Sequence, residues 1–249
     1  MVKDLDKFFS QVEACGNPEL ILLRSIELKL LKDKFIDKLE KGRILDLGCG
    51  GGLIIKILFD RKIDYGLDND RLVLKKAEKR RVYKKIMLAD ARKMPLKNGV
   101  CDGVFSNCVL EHIKELDGVL EEVNRILKKN GLLVFTSLTD KFKKYSVFGG
   151  WKKYTTFRDK KLDHYHGYSL KKWREKLLKH GFKIVDYYYY FGQTTTRWWD
   201  FLMLWSWWIN KVGIKLDFWI YRKFIYRKFL KAKAVGSEGA MIGILAKKI

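Results

Sequence analysis

Arg43-Ile44-Leu45-Asp46-Leu47-Gly48-Cys49-Gly50-Gly51-Gly52 is the stretch whose reading decides the fold. A short apolar run, Ile44 to Leu47, ends abruptly in glycines, and an apolar helical pattern, Leu53 to Phe59, follows at once. Strand, tight turn, helix is the form in which a parallel sheet opens a nucleotide site. Gly48, Gly50 and Gly52 lack side chains, so the turn can reach positive φ and a ligand can lie close to the main chain. The N–H groups that open the next helix point into the same turn.

Outward from this turn, strand and helix patterns alternate. Ile63 to Leu67 reads as a strand ending in Asp68-Asn69-Asp70, and Asp70 caps a basic helix, Arg71 to Tyr83. Lys85 to Leu88 is a third strand, ending in Ala89-Asp90-Ala91. Asp102 to Ser106 is a fourth, running into Asn107-Cys108-Val109-Leu110-Glu111-His112-Ile113. A helix from Leu116 to Lys129 and a strand from Leu132 to Ser137 follow. This spacing implies βαβ units and a parallel sheet, whose ligands bind beyond the carboxyl ends of the strands. Asp46, Asp68, Asp90 and Asn107 each stand at such an end, on four successive strands. Asp68 lies 20 residues past Gly48, where a carboxylate is needed for ribose hydroxyls.

The glycine turn is not the dinucleotide fingerprint G-x-G-x-x-G/A, because Leu53 or Ile55 occupies the sixth place. The phosphate loop G-x-x-x-x-G-K-[ST] is absent as well. Asp46, Gly48, Gly50 and Gly52 spell D-x-G-x-G-x-G, which resembles the first motif of class I S-adenosylmethionine-dependent methyltransferases. Val109-Leu110-Glu111-His112-Ile113, followed by Leu120-Glu121-Glu122-Val123-Asn124-Arg125-Ile126-Leu127-Lys128-Lys129-Asn130-Gly131, resembles the type 11 methyltransferase pattern. Lys129-Asn130 stands where that family has Pro-Gly, a change confined to a turn.

The resemblance implies an α/β, Rossmann-like, doubly wound seven-stranded sheet: five parallel strands plus a closing antiparallel hairpin. Phe182 to Phe191 and Ala240 to Ala246 are the hairpin strands, and Ser169 caps a helix running to His180. It implies S-adenosyl-L-methionine as cofactor, contacted by Asp46, Gly48, Cys49, Gly50, Gly52, Asp68, Asn69, Asp90, Ala91 and Asn107, with Asp90 at the adenine amino group. His112, just beyond the fourth strand, is the candidate proton acceptor; its alternative is a structural hydrogen bond holding the loop. His164, His166 and Tyr168 are candidates for the substrate pocket, in an interval, 138–168, with no clear element. Glu111 is expected to cap or to form a salt bridge.

Residues 1–42 read as amino-terminal helices, one starting at Asn17-Pro18-Glu19 and running to about Glu40. In the resembled family such helices cap the cofactor; plain packing on the sheet edge is the alternative. The catalytic unit is expected at 43–191 plus 239–249. The join of 192–238 is too long for a loop without structure. It reads as an inserted helical unit in two parts, aromatic Arg197 to Ile209 and basic Ile214 to Val235. Six of the eight tryptophans lie between 198 and 219.

The net charge of +23 is unevenly distributed. Residues 1–40 carry 7 basic and 8 acidic side chains, residues 41–135 carry 20 and 13, and residues 136–249 carry 25 and 8. Nucleic acid, anionic lipid and acidic substrates are all attracted by a basic face, and its sign does not choose among them. The apolar run between Asp200 and Asn210 is far shorter than the roughly 20 residues of a membrane span. Tryptophan and tyrosine beside lysine and arginine suit the water–lipid boundary, the alternative being two core helices that close a soluble substrate pocket or form a dimer contact.

The expectation is therefore a methyltransferase (EC 2.1.1.-) at an anionic membrane surface through 197–235, acting on a lipid, quinone-like or lipid-linked small molecule. An RNA methyltransferase and a non-catalytic S-adenosylmethionine-binding protein are the alternatives. Against RNA base methylation, no N-P-P-[YF] motif follows the fourth strand. Four cysteines without C-x-x-C spacing argue for a reduced compartment and against a zinc site. Lys3, Asp4, Asp6 and Lys7 make the start unlike a signal peptide, so the expected place is the cytoplasm, at the inner face of the cell membrane if 197–235 binds lipid. Substrate, methylated atom and oligomeric state stay open.

Overall fold

The computed structural model describes residues 18–149, 151–212 and 234–249 of the chain. The elements run α1 (Pro18–Lys34), α2 (Ile36–Leu39), β1 (Ile44–Leu47), α3 (Leu53–Leu58), β2 (Ile63–Asp68), α4 (Arg71–Arg80), β3 (Tyr83–Leu88) and β4 (Cys101–Asn107). A 3-10 turn (Leu110–His112), α5 (Leu116–Ile126), β5 (Leu127–Leu138), α6 (Lys141–Tyr145) and α7 (Lys152–Lys161) come next. The described chain ends with α8 (Leu170–Lys179), β6 (Phe182–Tyr190), α9 (Gln193–Val212) and β7 (Met241–Lys248).

The strands form a seven-stranded sheet in the order β3-β2-β1-β4-β5-β7-β6. The first five are parallel, and β7 lies antiparallel between β5 and β6, as the resemblance implies. Strand alternation sends side chains to two cores. Phe105 and Val134 face one layer, with Leu31, Phe35, Ile55 and Tyr190. Val104 and Phe135 face the other, with Val119, Val123, Trp173 and Leu177. Both faces being covered, β1 is buried along its whole length.

Several boundaries differ from the sequence expectation, each for a physical reason. The first helix is broken at Phe35, whose φ of −125° departs from the helix while its ring is fully buried. The Asn17 expected to start that helix lies outside the described residues. Asp70 does cap α4, accepting from Leu72 N at 2.7 Å, but the helix stops at Arg81, which is left-handed (φ 53°). That release lets Tyr83 join β3 opposite Ile63. α5 ends at Ile126, short of Lys129, and Leu127 already pairs with Cys101. Lys248 Nζ donates to Asn124 O (2.6 Å) and Leu127 O (2.8 Å), serving carbonyls that the end of α5 leaves open.

Two helices, α6 and α7, occupy the interval expected to be without elements. α7 is mostly polar and has no apolar stripe to announce it. Tertiary bonds hold this region: Asp200 of α9, wholly buried, accepts from Tyr154 OH (2.6 Å), from Val147 N (3.0 Å) and from Ser146 Oγ. α9 itself begins at Gln193, earlier than expected, and packs on α1 and α6 through Trp199 and Leu202. It leaves the end of β6 through a narrow neck, where Ala240 N donates to Phe191 O at 2.8 Å. The basic second part of the insertion falls mostly outside the described residues. No described helix is long and apolar enough to cross a membrane.

Candidate functional site

The turn after β1 takes the conformation its glycines permit. Gly48, Gly50 and Gly52 have φ of 73°, 49° and 76°. A Cβ at Gly48 would lie 2.4 Å from a methyl carbon of Val109, so only glycine fits there. At Gly50 a Cβ would meet nothing within 4 Å, which leaves that stretch of main chain open. The turn is tied to β2: Gly48 N and Cys49 N both donate to Leu67 O at 2.9 Å, and Gly50 N donates to Asp68 Oδ2 at 2.8 Å. From behind, Arg80 Nη1 donates to Gly51 O at 2.5 Å.

Beside this turn, over the carboxyl ends of β2, β3 and β4, lies a cleft of about 500 Å³. Gly48, Asp68, Asn69, Asp90, Ala91 and His112 of the candidate residues line it. A cleft of this size, walled by bare main chain on one side and carboxylates on the other, fits a nucleoside carrying an amino-acid tail. Asp68 Oδ1 accepts from Asp70 N (3.0 Å) and Oδ2 from Gly50 N, so lone pairs remain for a ligand. Asp90 is gripped by Arg92, whose side chain and backbone bonds hold its carboxyl down to about 2.

Asp46, Cys49, Gly50, Gly52 and Asn107 are not on the cleft wall. Asp46 is turned beneath the glycines, 3% exposed, and accepts from Tyr83 OH at 2.7 Å. Burial pushes its pKa up to about 7, against the Tyr83 hydrogen bond and with the help of nearby Asp68. Cys49 is buried under the turn, and a Cβ on Gly52 would sit 3.0 Å from the Tyr83 ring. Asn107 donates from Nδ2 to Thr136 Oγ1 (2.7 Å) and accepts from Arg24 Nη1 (2.6 Å).

Arg24 belongs to a closed buried network that sequence reasoning missed. It pairs with Glu27, which is wholly buried and also accepts from Tyr190 OH and from Cys108 Sγ (3.1 Å). Burial opposes both charges. For Arg24, Glu27 and Cys108 more than offset it, so the guanidinium stays above its ordinary pKa. For Glu27, Arg24 and the Tyr190 hydroxyl do the same, so the carboxyl stays below its own. Burial drives the Cys108 thiol well up, so it remains protonated beside Glu27. α1 is thereby locked to the ends of β4, β5 and β6, at the edge of the cleft that Cys108 lines.

His112 is open to the cleft on one side and packed on the other, with its ring 5.0 Å from that of His164. Its Nδ1 lies 3.2 Å from Asp163 O; a carbonyl can only accept, so Nδ1 carries the proton and Nε2 is the basic nitrogen. Partial burial lowers its pKa from the ordinary value. His164, His166 and Tyr168 are not on the cleft wall, which Tyr165 reaches instead. His166 Nε2 bonds Ile113 O at 2.8 Å, so that nitrogen carries the proton, and Tyr168 OH then donates to Nδ1 at 2.9 Å. Those two side chains tether the loop.

Glu111 neither caps nor pairs among the described residues. Its side chain is 1% exposed, Oε2 has no hydrogen-bond partner, and burial raises its pKa to about 7. Its main-chain oxygen accepts from Tyr165 N (2.9 Å) and His166 N (3.3 Å), which fixes the loop over the cleft.

Comparison with known proteins adds an independent line. Residues 45–135 match the family described as Methyltransferase domain. An uncharacterized protein of Methanocaldococcus jannaschii is 30% identical over 250 residues, covering 89% of this chain and 86% of that protein. A malonyl-[acyl-carrier protein] O-methyltransferase of Legionella pneumophila is 37% identical over 113 residues, which are 43% of this chain and only 40% of that protein's length. A solved structure from Thermotoga maritima, described as a SAM-dependent methyltransferase and possible histamine N-methyltransferase, has the same fold. It aligns with a TM-score of 0.59 at 19% identity over 90% of this chain and 88% of that one.

Proposed function

Because this chain belongs to the class I S-adenosylmethionine-dependent methyltransferases, we propose that it methylates an oxygen of a lipid, quinone-like or lipid-linked acceptor at an anionic membrane surface. The cofactor supplies a methyl group already activated by its positively charged sulfur, so the chain contributes chiefly position. Of the residues lining the cleft, Asp68 and Asn69 would receive the ribose, Asp90 and Ala91 the base, and the main chain at Gly48 the amino-acid tail. Cys108 and Val109 line the same cleft beside His112. His112 Nε2 takes the proton of an acceptor hydroxyl as the new bond forms; an acceptor arriving as an anion needs no base. The O-methyltransferase relative supports oxygen as the accepting atom.

One observation carries the membrane half. Trp198, Phe201 and Trp205 of α9 are exposed by 42%, 48% and 44%, while Trp199 and Leu202 on the adjoining face are buried. At about 100° per residue those three rings lie within roughly 60° of one another. Arg197 and Thr194 stand beside Trp198 and Phe201 at a shallow depression of about 380 Å³, an apolar seat with a cation at its rim. Rings and cations so arranged suit the headgroup layer.

Sedimentation with phosphatidylglycerol vesicles is the test, with phosphatidylcholine vesicles as control. The full chain is expected to pellet with the anionic vesicles, and Trp198→Ser/Phe201→Ser/Trp205→Ser to stay in solution. A triple variant that still pellets refutes the role of this face. Labelled cofactor should transfer its methyl to a lipid extract. Label in RNA would instead favour the nucleic-acid alternative, and cofactor binding without product in any extract would favour a non-catalytic protein.

A further inference from the structure

Asp90, Arg92 and Glu115 make a bridge across one end of the cleft. All three line it, Asp90 and Arg92 from the loop after β3, Glu115 from the segment that leads into α5. Arg92 Nη2 donates to Asp90 Oδ2 at 2.6 Å and Nε donates to Oδ1 at 3.0 Å, the side-by-side fork that only a guanidinium makes. Arg92 N adds a third bond, to Oδ1 at 2.8 Å. Its remaining arm, Nη1, is paired to Glu115, just ahead of α5.

A carboxylate has about four lone-pair sites. Backbone N and Nε fill those on Oδ1, and Nη2 fills one on Oδ2 with a second, longer approach from Nε at 3.1 Å. Nε has one hydrogen, shared between the two oxygens, so it takes no full site on Oδ2 and one acceptor direction there is left, fixed in plane by the fork. A single acceptor direction suits a single N–H donor. The exocyclic amino group of adenine carries two N–H donors, one of which can meet that lone pair; hypoxanthine presents a carbonyl oxygen in the same place, which a carboxylate repels.

We infer that Arg92 is a positioning residue for base recognition: braced by Glu115, it orients Asp90 so that one carboxylate lone pair meets the adenine amino group. This rests on Asp90 being the base-reading acid, as proposed above. Arg92 acts through Asp90 and needs no contact with the reacting atoms. All three side chains are about half exposed or more, so their replacement leaves the fold intact.

Calorimetric titration of the full chain with S-adenosylhomocysteine and with S-inosylhomocysteine tests it, in the parent, Arg92→Ala, Arg92→Lys and Asp90→Asn. The parent is expected to prefer the adenosyl compound. Arg92→Ala should bind it roughly five- to tenfold more weakly, the worth of one well-placed hydrogen bond, with little change for the inosyl compound. Arg92→Lys keeps the charge but lacks the fork, and the preference should not return. An Arg92→Ala variant that keeps the parental ratio, or weakens both compounds equally, overturns the assignment, as does full rescue by lysine. If Asp90→Asn keeps the preference, the base-reading role of Asp90 fails and the inference falls with it. A parent that binds neither compound overturns the cofactor site itself.

Discussion

Glu111 gives the sharpest quantitative prediction, because its carboxyl is buried and makes no salt bridge among the described residues. Burial raises its pKa from 4.5 to about 7, against a weaker pull from its own backbone. The sign follows from linkage: where the folded state binds the extra proton, stability falls as pH rises. The loss begins above the unfolded value near 4.5 and is complete once pH passes about 7. A shift of this size makes the folded state about 2–3 kcal/mol less stable at pH 8 than at pH 5. In Glu111→Gln that part of the slope should vanish. The amide's own burial cost does not depend on pH, so the informative quantity is the change between the two pH values, not the offset. Thermal unfolding of parent and variant at pH 5 and pH 8 reads it, as a difference of roughly 5–10 °C in how far the two midpoints move. Asp46, also near 7, contributes a slope of the same sign that persists in both proteins. Equal pH dependence in parent and variant would show that Glu111 does not titrate across this window, and would refute the reasoning.

Two other substitutions probe the site from opposite sides. Arg24→Met removes the guanidinium that pairs with Glu27 and leaves a wholly buried carboxylate without that charge; a loss of about 3–5 kcal/mol in urea unfolding is expected, and Arg24→Met/Glu27→Gln should recover much of it. His112→Gln should lower turnover of a hydroxyl acceptor roughly 10²–10⁴-fold and remove the acid limb of the pH–rate profile. That limb lies below the ordinary histidine value, since partial burial lowers the pKa and only the neutral ring can take a proton. An unchanged acid limb in the variant would assign it to another group.

Local signals carried the sheet and its glycine turn into view. Ile44 to Leu47 followed by Gly48, and the acids at the ends of β2 and β3, are consecutive in sequence and dictated by strand and turn chemistry. Asp46 is instructive, because the pattern places it at a strand end but its side chain alternates to the far side of the turn, under Tyr83. The helical reading of Leu127 to Lys129 failed because pairing with β4 outweighed helix propensity. α7 escaped notice because polar Lys152–Lys161 is held by a buried carboxylate from α9, some forty residues on. The Arg24–Glu27–Cys108 network joins groups about eighty residues apart and leaves no periodicity to read.

The place of β7 between β5 and β6 has a consequence for biosynthesis. β5 is complete at Leu138, yet the strand that covers its free edge starts only at Met241. At ordinary ribosomal speeds, about 100 residues take roughly 5–20 s to make. Throughout that interval an apolar edge of the growing sheet stands open to any passing strand. β6 emerges with no neighbour to join, and the tryptophans of α9 come off the ribosome before the sheet beneath them has closed. Until β7 slots into the gap left for it, that edge is a template for pairing with another chain.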